Sequence, residues 1–197
     1  MRQPAPEHVK AIYAQIKALF GGTKPIVDRF GDDHDDLNWV DVMRTPDSPQ
    51  PGVTSYATLG MSRFDNGGLE SGGKPLRVEL VAACQSEFTH IADGLSSCAL
   101  NVAKDGWQVT PGVVHPNALG LYRSDLVLKH LFLVTPYLWG DEPDDREFDE
   151  LLVTWLMAVP VSDSEVEHVR TRGPESLEAL FEERQIDIFD INREPVV

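Results

Sequence analysis

The stretch Leu151-Leu152-Val153-Thr154-Trp155-Leu156-Met157-Ala158-Val159-Pro160-Val161-Ser162-Asp163-Ser164-Glu165 decides how the rest of the chain is read. Leu151 to Val159 is almost unbroken in its apolarity. A strand that faced water on one side would alternate, so this one is expected to be covered on both faces and to lie inside its sheet. Thr154 and Pro160 interrupt the run, which is far shorter than the roughly 20 residues a membrane-spanning helix needs. Ser162 and Glu165 have the spacing of a capping box, in which the Ser162 hydroxyl takes the amide three residues on while Glu165 reaches back. A helix is therefore expected to begin directly after the strand. Trp155 reads as core, Pro160 as the strand terminator and Glu165 as part of the cap.

Downstream, Gly173-Pro174 separates this helix from a second one, whose buried stripe is Leu177, Leu180 and Phe181, with Pro174 at a position that suits a helix start. Upstream, Val9, Ile12, Tyr13, Ile16, Leu19 and Phe20 recur at helical spacing and predict an N-terminal helix over about 5–20, ended by Gly21-Gly22. Ile26 to Phe30 and Leu37 to Met43 read as strands around an acidic turn, residues 31–36, and residues 46–52 form a proline-rich loop. Val53 to Ser62 and Leu76 to Ala83 make a long-looped hairpin in which Leu76, Val78, Leu80 and Ala82 share a face. Ser86 is placed to cap a helix with the stripe Phe88, Ile91, Ala92, Leu95, Ala99 and Val102, ending at Gly106, and Gly94 within it points to a close packing contact. Short extended pieces are expected at Gly112 to His115 and Lys129 to Thr135. Helices at both ends with hairpins between them define an α+β class, and no repeat or linker divides the 197 residues, so a single domain over 1–197 is expected.

The 17 basic and 32 acidic side chains leave a formal charge of 17 − 32 = −15. A charge of this size repels nucleic acid and anionic membranes and makes a basic protein the easier partner. No apolar leader precedes a cleavage site, so a cytoplasmic location is the expectation, with Cys84 and Cys98 as buried free thiols. Catalytic signatures are near misses. Gly60-Met61-Ser62-Arg63-Phe64 and Gly94-Leu95-Ser96-Ser97-Cys98 both lack the final glycine of a nucleophile elbow, and the Gly67-Gly68 and Gly72-Gly73 pairs lack phosphate-binding context. Asp32, His34 and Asp36 alternate like early calcium-loop ligands, but Leu37 and Met43 occupy the positions of the required glycine and glutamate. No two of the six histidines have zinc-gripping spacing on one helical turn. No catalytic residue, metal site or cofactor is therefore assigned. The candidate partner-binding residues are the two acidic clusters, Asp32, Asp33, Asp35 and Asp36, then Asp141, Glu142, Asp144, Asp145 and Glu147, together with Trp139 as an aromatic anchor beside the second.

The motifs Thr58-Leu59-Gly60-Met61-Ser62, Leu76-Arg77-Val78-Glu79-Leu80, His130-Leu131-Phe132-Leu133-Val134-Thr135-Pro136 and the opening stretch, followed by Gly173-Pro174-Glu175-Ser176-Leu177-Glu178-Ala179-Leu180 and then Asp187, Asp190, Asn192 and Arg193, together resemble the Suppressor of fused domain family from about Thr54 to Arg193. The resemblance implies a mixed, largely antiparallel central sheet covered by helices and a protein-binding role without a catalytic centre. The animal form restrains a transcription factor by clasping a peptide between two lobes. This chain shows no counterpart of the second lobe, so the expectation is the role of the bacterial single-domain type: an immunity or antitoxin protein that occludes a basic toxin domain. The alternative is a regulatory module that sequesters a transcription factor or peptide, and a hydrolase or metal enzyme ranks behind both.

Overall fold

The computed structural model describes residues 5–21, 24–32, 35–140 and 143–197, and of residues 32 and 35–37 the backbone alone. Helix α1 (Glu7–Phe20) precedes the hairpin of β1 (Ile26–Asp32) and β2 (Asp35–Pro46), then β3 (Val53–Leu59), β4 (Glu70–Ser71) and β5 (Lys74–Gln85). Helix α2 (Ile91–Asp105) leads to β6 (Val114–His115), β7 (His130–Val134), β8 (Arg146–Glu147) and β9 (Leu152–Val161), and α3 (Asp163–Arg172) and α4 (Pro174–Arg184) follow. The strand order is β1-β2-β3-β5-β9-β7-β6, with β4 against β5 and β8 against β9. Among the described residues β5 and β9 are the parallel pair and every other pairing is antiparallel, so the sheet is mixed and largely antiparallel.

Strand β9 is interior, between β5 and β7, and its residues divide between two cores. Leu156 and Ala158 pack on the face of α2, with Val78, Leu80, Ala82, Leu131, Ile91, Leu95 and Cys98. Val153, Trp155, Met157, Val159 and Val161 pack on the other face, with Ile12, Ile16, Phe20, Leu177 and Phe181 from α1 and α4. Burial on both sides explains why this strand reads as an apolar run rather than an alternation. The capping box forms as its sequence requires: Glu165 N donates to Ser162 Oγ at 3.2 Å and Ser162 N to the Glu165 carboxylate at 2.9 Å.

Several boundaries differ from expectation. Strand β9 continues through Pro160, which stands opposite Leu131, so the proline lies one residue inside the strand end rather than terminating it. Pro46 is the last residue of β2, opposite Thr54, where the sequence had placed loop. Helix α2 begins at Ile91 and Ser86 does not cap it; the Ser86 hydroxyl instead meets Thr54 Oγ1 at 2.8 Å. The strands beside the acidic turn also run further than expected, with Asp32 and Asp35 opposite each other at the hairpin end.

Among the described residues two carboxylates are fully buried, and they organise the frame. Glu79 on β5 accepts from Thr58 Oγ1 at 2.6 Å, Gly60 N at 2.8 Å, Met61 N at 3.3 Å, and Ser62 N and Oγ at 3.1 and 2.7 Å. It thereby fixes the turn after β3, where Gly60 supplies the left-handed conformation at φ 103°. Trp39 on β2 is sandwiched between the Arg29 and Arg63 guanidinium groups, 3.7 and 3.9 Å from its ring. Glu165 is the second carboxylate and pairs with Arg193 of the C-terminal tail.

Candidate protein-binding surface

The strand directions place the end of the β1–β2 hairpin and Glu147 at one end of the sheet. Strand β2 ends its pairing with β3 at Asp41 opposite Leu59, so the β1–β2 hairpin projects beyond the Leu59 end. Strands β5 and β9 both start at that end, with Leu76 opposite Leu152, and β8 adds Glu147 beside Leu152. Asp32 and Asp35 belong to the hairpin backbone, while Asp33, His34, Asp141 and Glu142 lie outside the described residues, as do the side chains of Asp32, Asp35 and Asp36. Asp144, Asp145 and Glu147 are exposed.

Trp139, Asp144 and Phe148, between β7 and β9, meet α1 in antiparallel order. Trp139 meets Phe20 at the helix C-terminus, ring centroids 5.1 Å apart; Gln15 donates to the Asp144 carbonyl at 2.7 Å; Phe148 meets His8 in the first turn. Trp139 and Glu147 therefore stand near opposite ends of this helix, so the structure separates the proposed aromatic anchor from the sheet end that holds Glu147. Trp139 is half-buried, and its indole N–H donates to Ser55 Oγ at 2.9 Å. Glu147 forms an ion pair with Lys74 at 2.9 Å, and Lys74 also donates to the Phe148 carbonyl at 2.6 Å.

A second surface feature lies on the α4 side of the sheet. It is a groove of about 630 Å³ lined by Val134 and Val159 of β7 and β9, Tyr137, the Glu175–Glu178–Glu182 face of α4, and Ile186 and Ile188. Its geometry follows from local sequence. Pro174 starts α4, Leu177 and Phe181 turn inward, and Phe181 meets Phe132 edge-on at 6.5 Å. Glutamates at positions i, i+3 and i+7 then share the outer face of that helix beside the sheet. Gln185 closes α4 in the left-handed conformation, φ 48°, and returns Ile186 and Ile188 to form the remaining wall.

The electrostatics of this groove are one-sided. Burial and then the neighbouring Glu175 charge raise the Glu178 carboxyl above its ordinary value. Burial and then Glu178 push the Tyr137 hydroxyl up to about 12. Among the described residues none of Glu175, Glu178 and Glu182 has an ion-pair partner. Sequence reading missed this groove. The glutamate spacing on α4 was visible, but its opposing wall comes from residues about forty positions away, brought there by the pairing of β7 with β9. Among the described residues no group of three histidine, cysteine or carboxylate side chains is placed to hold a metal ion, and no helix is long and apolar enough to cross a membrane.

A mixed sheet with helices on both faces has known counterparts. The chain belongs to the family described as Suppressor of fused protein (SUFU), whose model matches residues 36–194. It is 40% identical over 188 residues to Immunity protein YqcF of Bacillus subtilis (strain 168), covering 95% of this chain and 96% of that protein. A solved SUFU homolog from Neisseria gonorrhoeae FA 1090 superposes with TM-score 0.72 at 17% identity, covering 97% of each chain. The Sufu-Fu complex structure matches at TM-score 0.69 and 15% identity, over 98% of this chain and 93% of that one. Drosophila Suppressor of fused matches over all of this chain at TM-score 0.68 and 14% identity, and the chain spans 54% of its length. At these identities the structural likenesses are likenesses of fold.

Proposed function

We propose that this protein is a non-enzymatic immunity factor that binds a protein toxin and neutralises it by covering its working surface. The observation that carries this reading is the relative named as an immunity protein, 40% identical and matched across nearly the full length of both chains. The charge of −15 supports a basic partner, because opposite fields accelerate encounter and select against partners of the wrong sign. We assign that steering to the two acidic segments, Asp32, Asp33, Asp35 and Asp36 and then Asp141, Glu142, Asp144, Asp145 and Glu147, and retain Trp139 as a candidate contact beside the second. We place this activity in the cytoplasm.

The test is to co-express the chain with the toxin-like product of the adjacent gene and to measure both growth rescue and binding by calorimetry at several salt concentrations. Rescue, with an affinity that falls as salt rises, is expected. A toxin that kills equally with and without this chain, and forms no complex with it, would overturn the assignment. Competition by a short extended peptide that fully displaces the toxin would favour instead a peptide-sequestering regulator.

A further inference from the structure

The groove beside α4 is apolar along its floor, where Val134 and Val159 are almost inaccessible, and acidic along one rim. Its volume of about 630 Å³ falls within the roughly 300–1,000 Å³ range of concave sites that enclose a ligand. Tyr137, 53% exposed, stands at the mouth. The aromatic face and the three carboxylates would each favour a cation, and their like charges repel one another until one arrives. Arg193, whose charge reaches Tyr137, is already committed to Glu165.

We propose that this groove docks a basic, aliphatic segment of the protein partner, its lysine or arginine lying between Tyr137 and the Glu175–Glu178–Glu182 rim and its aliphatic neighbour lying on Ile186 and Ile188, above the buried floor of Val134 and Val159. The proposal rests on the protein-binding reading above and adds to it the anchoring surface. Charge complementarity selects this occupant. A second copy of the chain would bring another charge of −15 against an already uncompensated acidic rim, which like-charge repulsion disfavours. The acidic segments and the groove then have separable roles, the first in encounter and the second in retention.

The experiment uses the full chain and three short capped peptides, one of lysine and leucine, one of glutamate and leucine, and one of lysine and serine. Methyl NMR would follow Val134, Val159, Ile186 and Ile188. Saturable shifts at these four residues are expected with the lysine–leucine peptide, at least tenfold weaker binding with either control, and a similar loss in the triple variant E175Q/E178Q/E182Q. Ala179→Trp, an exposed position on the groove wall, should plug the site without disturbing the core. The far-ultraviolet spectrum and melting midpoint of each variant report folding. No saturable shift, equal binding of the lysine–serine peptide, shifts confined to another surface, or a groove occupied by a second copy would each overturn the proposal. A triple variant and an Ala179→Trp variant that both retain full toxin affinity would also overturn it while leaving the immunity function intact. Failure of the unaltered chain to bind any toxin, with peptide binding preserved, would instead remove the immunity reading and keep the groove.

Discussion

The Arg193 guanidinium lies 2.7 Å from the Glu165 carboxylate, with both groups withdrawn from solvent. The same carboxylate accepts from Ser162 N at 2.9 Å and Val196 N at 3.1 Å, and Arg193 donates to the Pro160 carbonyl at 3.0 Å. One pair thus joins the end of β9, the start of α3 and the C-terminal tail. Arg193→Met would leave a buried carboxylate without its cation, and removing one partner of such a pair costs about 3–5 kcal/mol. Urea unfolding should show a loss of this size, with the double variant E165Q/R193M losing less than the sum of the two single changes. A single variant within about 1 kcal/mol of the parent, the upper level of an exposed pair, would show that the tail is held by other contacts.

Much of this frame was legible from residue pattern. The apolar run of β9, the Ser162–Glu165 box and the α1 stripe each encode a local preference that tertiary packing reinforces. Gly94 also has its packing reason: a Cβ there would come within 2.6 Å of the Leu119 side chain and 3.3 Å of Leu131 on β7. What the pattern misplaced depends on contacts distant in sequence. Ser86 has cap chemistry but spends its hydroxyl on Thr54, and Pro46 is accommodated because β2 ends there. The acidic clusters were visible as charge, yet the position of Glu147 at the sheet end where the β1–β2 hairpin turns, and its distance from Trp139, follow only from the fold. Glu79 gave no signal of its cradle, because alternation along β5 says which face it occupies and nothing about the turn that closes over it.

Burial raises the Glu79 carboxyl above its ordinary value, against the opposing pull of the Thr58, Ser62 and Gly60 donors. The folded chain therefore holds this proton at pH values where the unfolded chain has released it. The stabilising contribution is fully present below the unfolded pKa and declines as pH rises through the folded one. Glu79→Gln has no such slope and mismatches its amide against backbone N–H groups, a cost of about 1–3 kcal/mol. Denaturant titrations from pH 4 to 8 should show the parent's advantage over E79Q shrinking as pH rises. An advantage that grows with pH would mean that the donors outweigh burial and that the carboxylate is the preferred form.

His115 presents the opposite sign. Its ring is stacked on Trp107 with centroids 5.1 Å apart, neither nitrogen has a hydrogen-bond partner, and burial pushes its pKa down to about 4 from 6.5. The neutral ring's contribution is fully present above pH 6.5 and is lost as pH falls toward 4, because the unfolded chain takes up the proton first. Over that window the loss amounts to about 3 kcal/mol. His115→Phe keeps the aromatic contact and removes the titration. Relative to the parent, H115F should gain stability progressively as pH falls from 6.5 to 4, measured by urea unfolding at each pH. Parallel curves for the two proteins would show that the imidazole is solvated in the folded state.

The steering assigned to the acidic segments is separable from retention in the groove because the two act on different rate constants. Asp144, Asp145 and Glu147 are exposed, and among them Glu147 carries the surface ion pair to Lys74, worth about 1 kcal/mol or less. Changing all three to their amides should thus leave the fold essentially intact. With toxin flowed over immobilised protein at low salt, association should slow by about tenfold while dissociation changes little, since exposed charges act mainly through the long-range field. Raising salt to about 1 M contracts screening to about 3 Å, so parent and variant should then associate at the same rate. A variant that instead dissociates faster with an unchanged association rate would place these carboxylates inside the contact, and no change in either rate would relieve these three carboxylates of any part in binding.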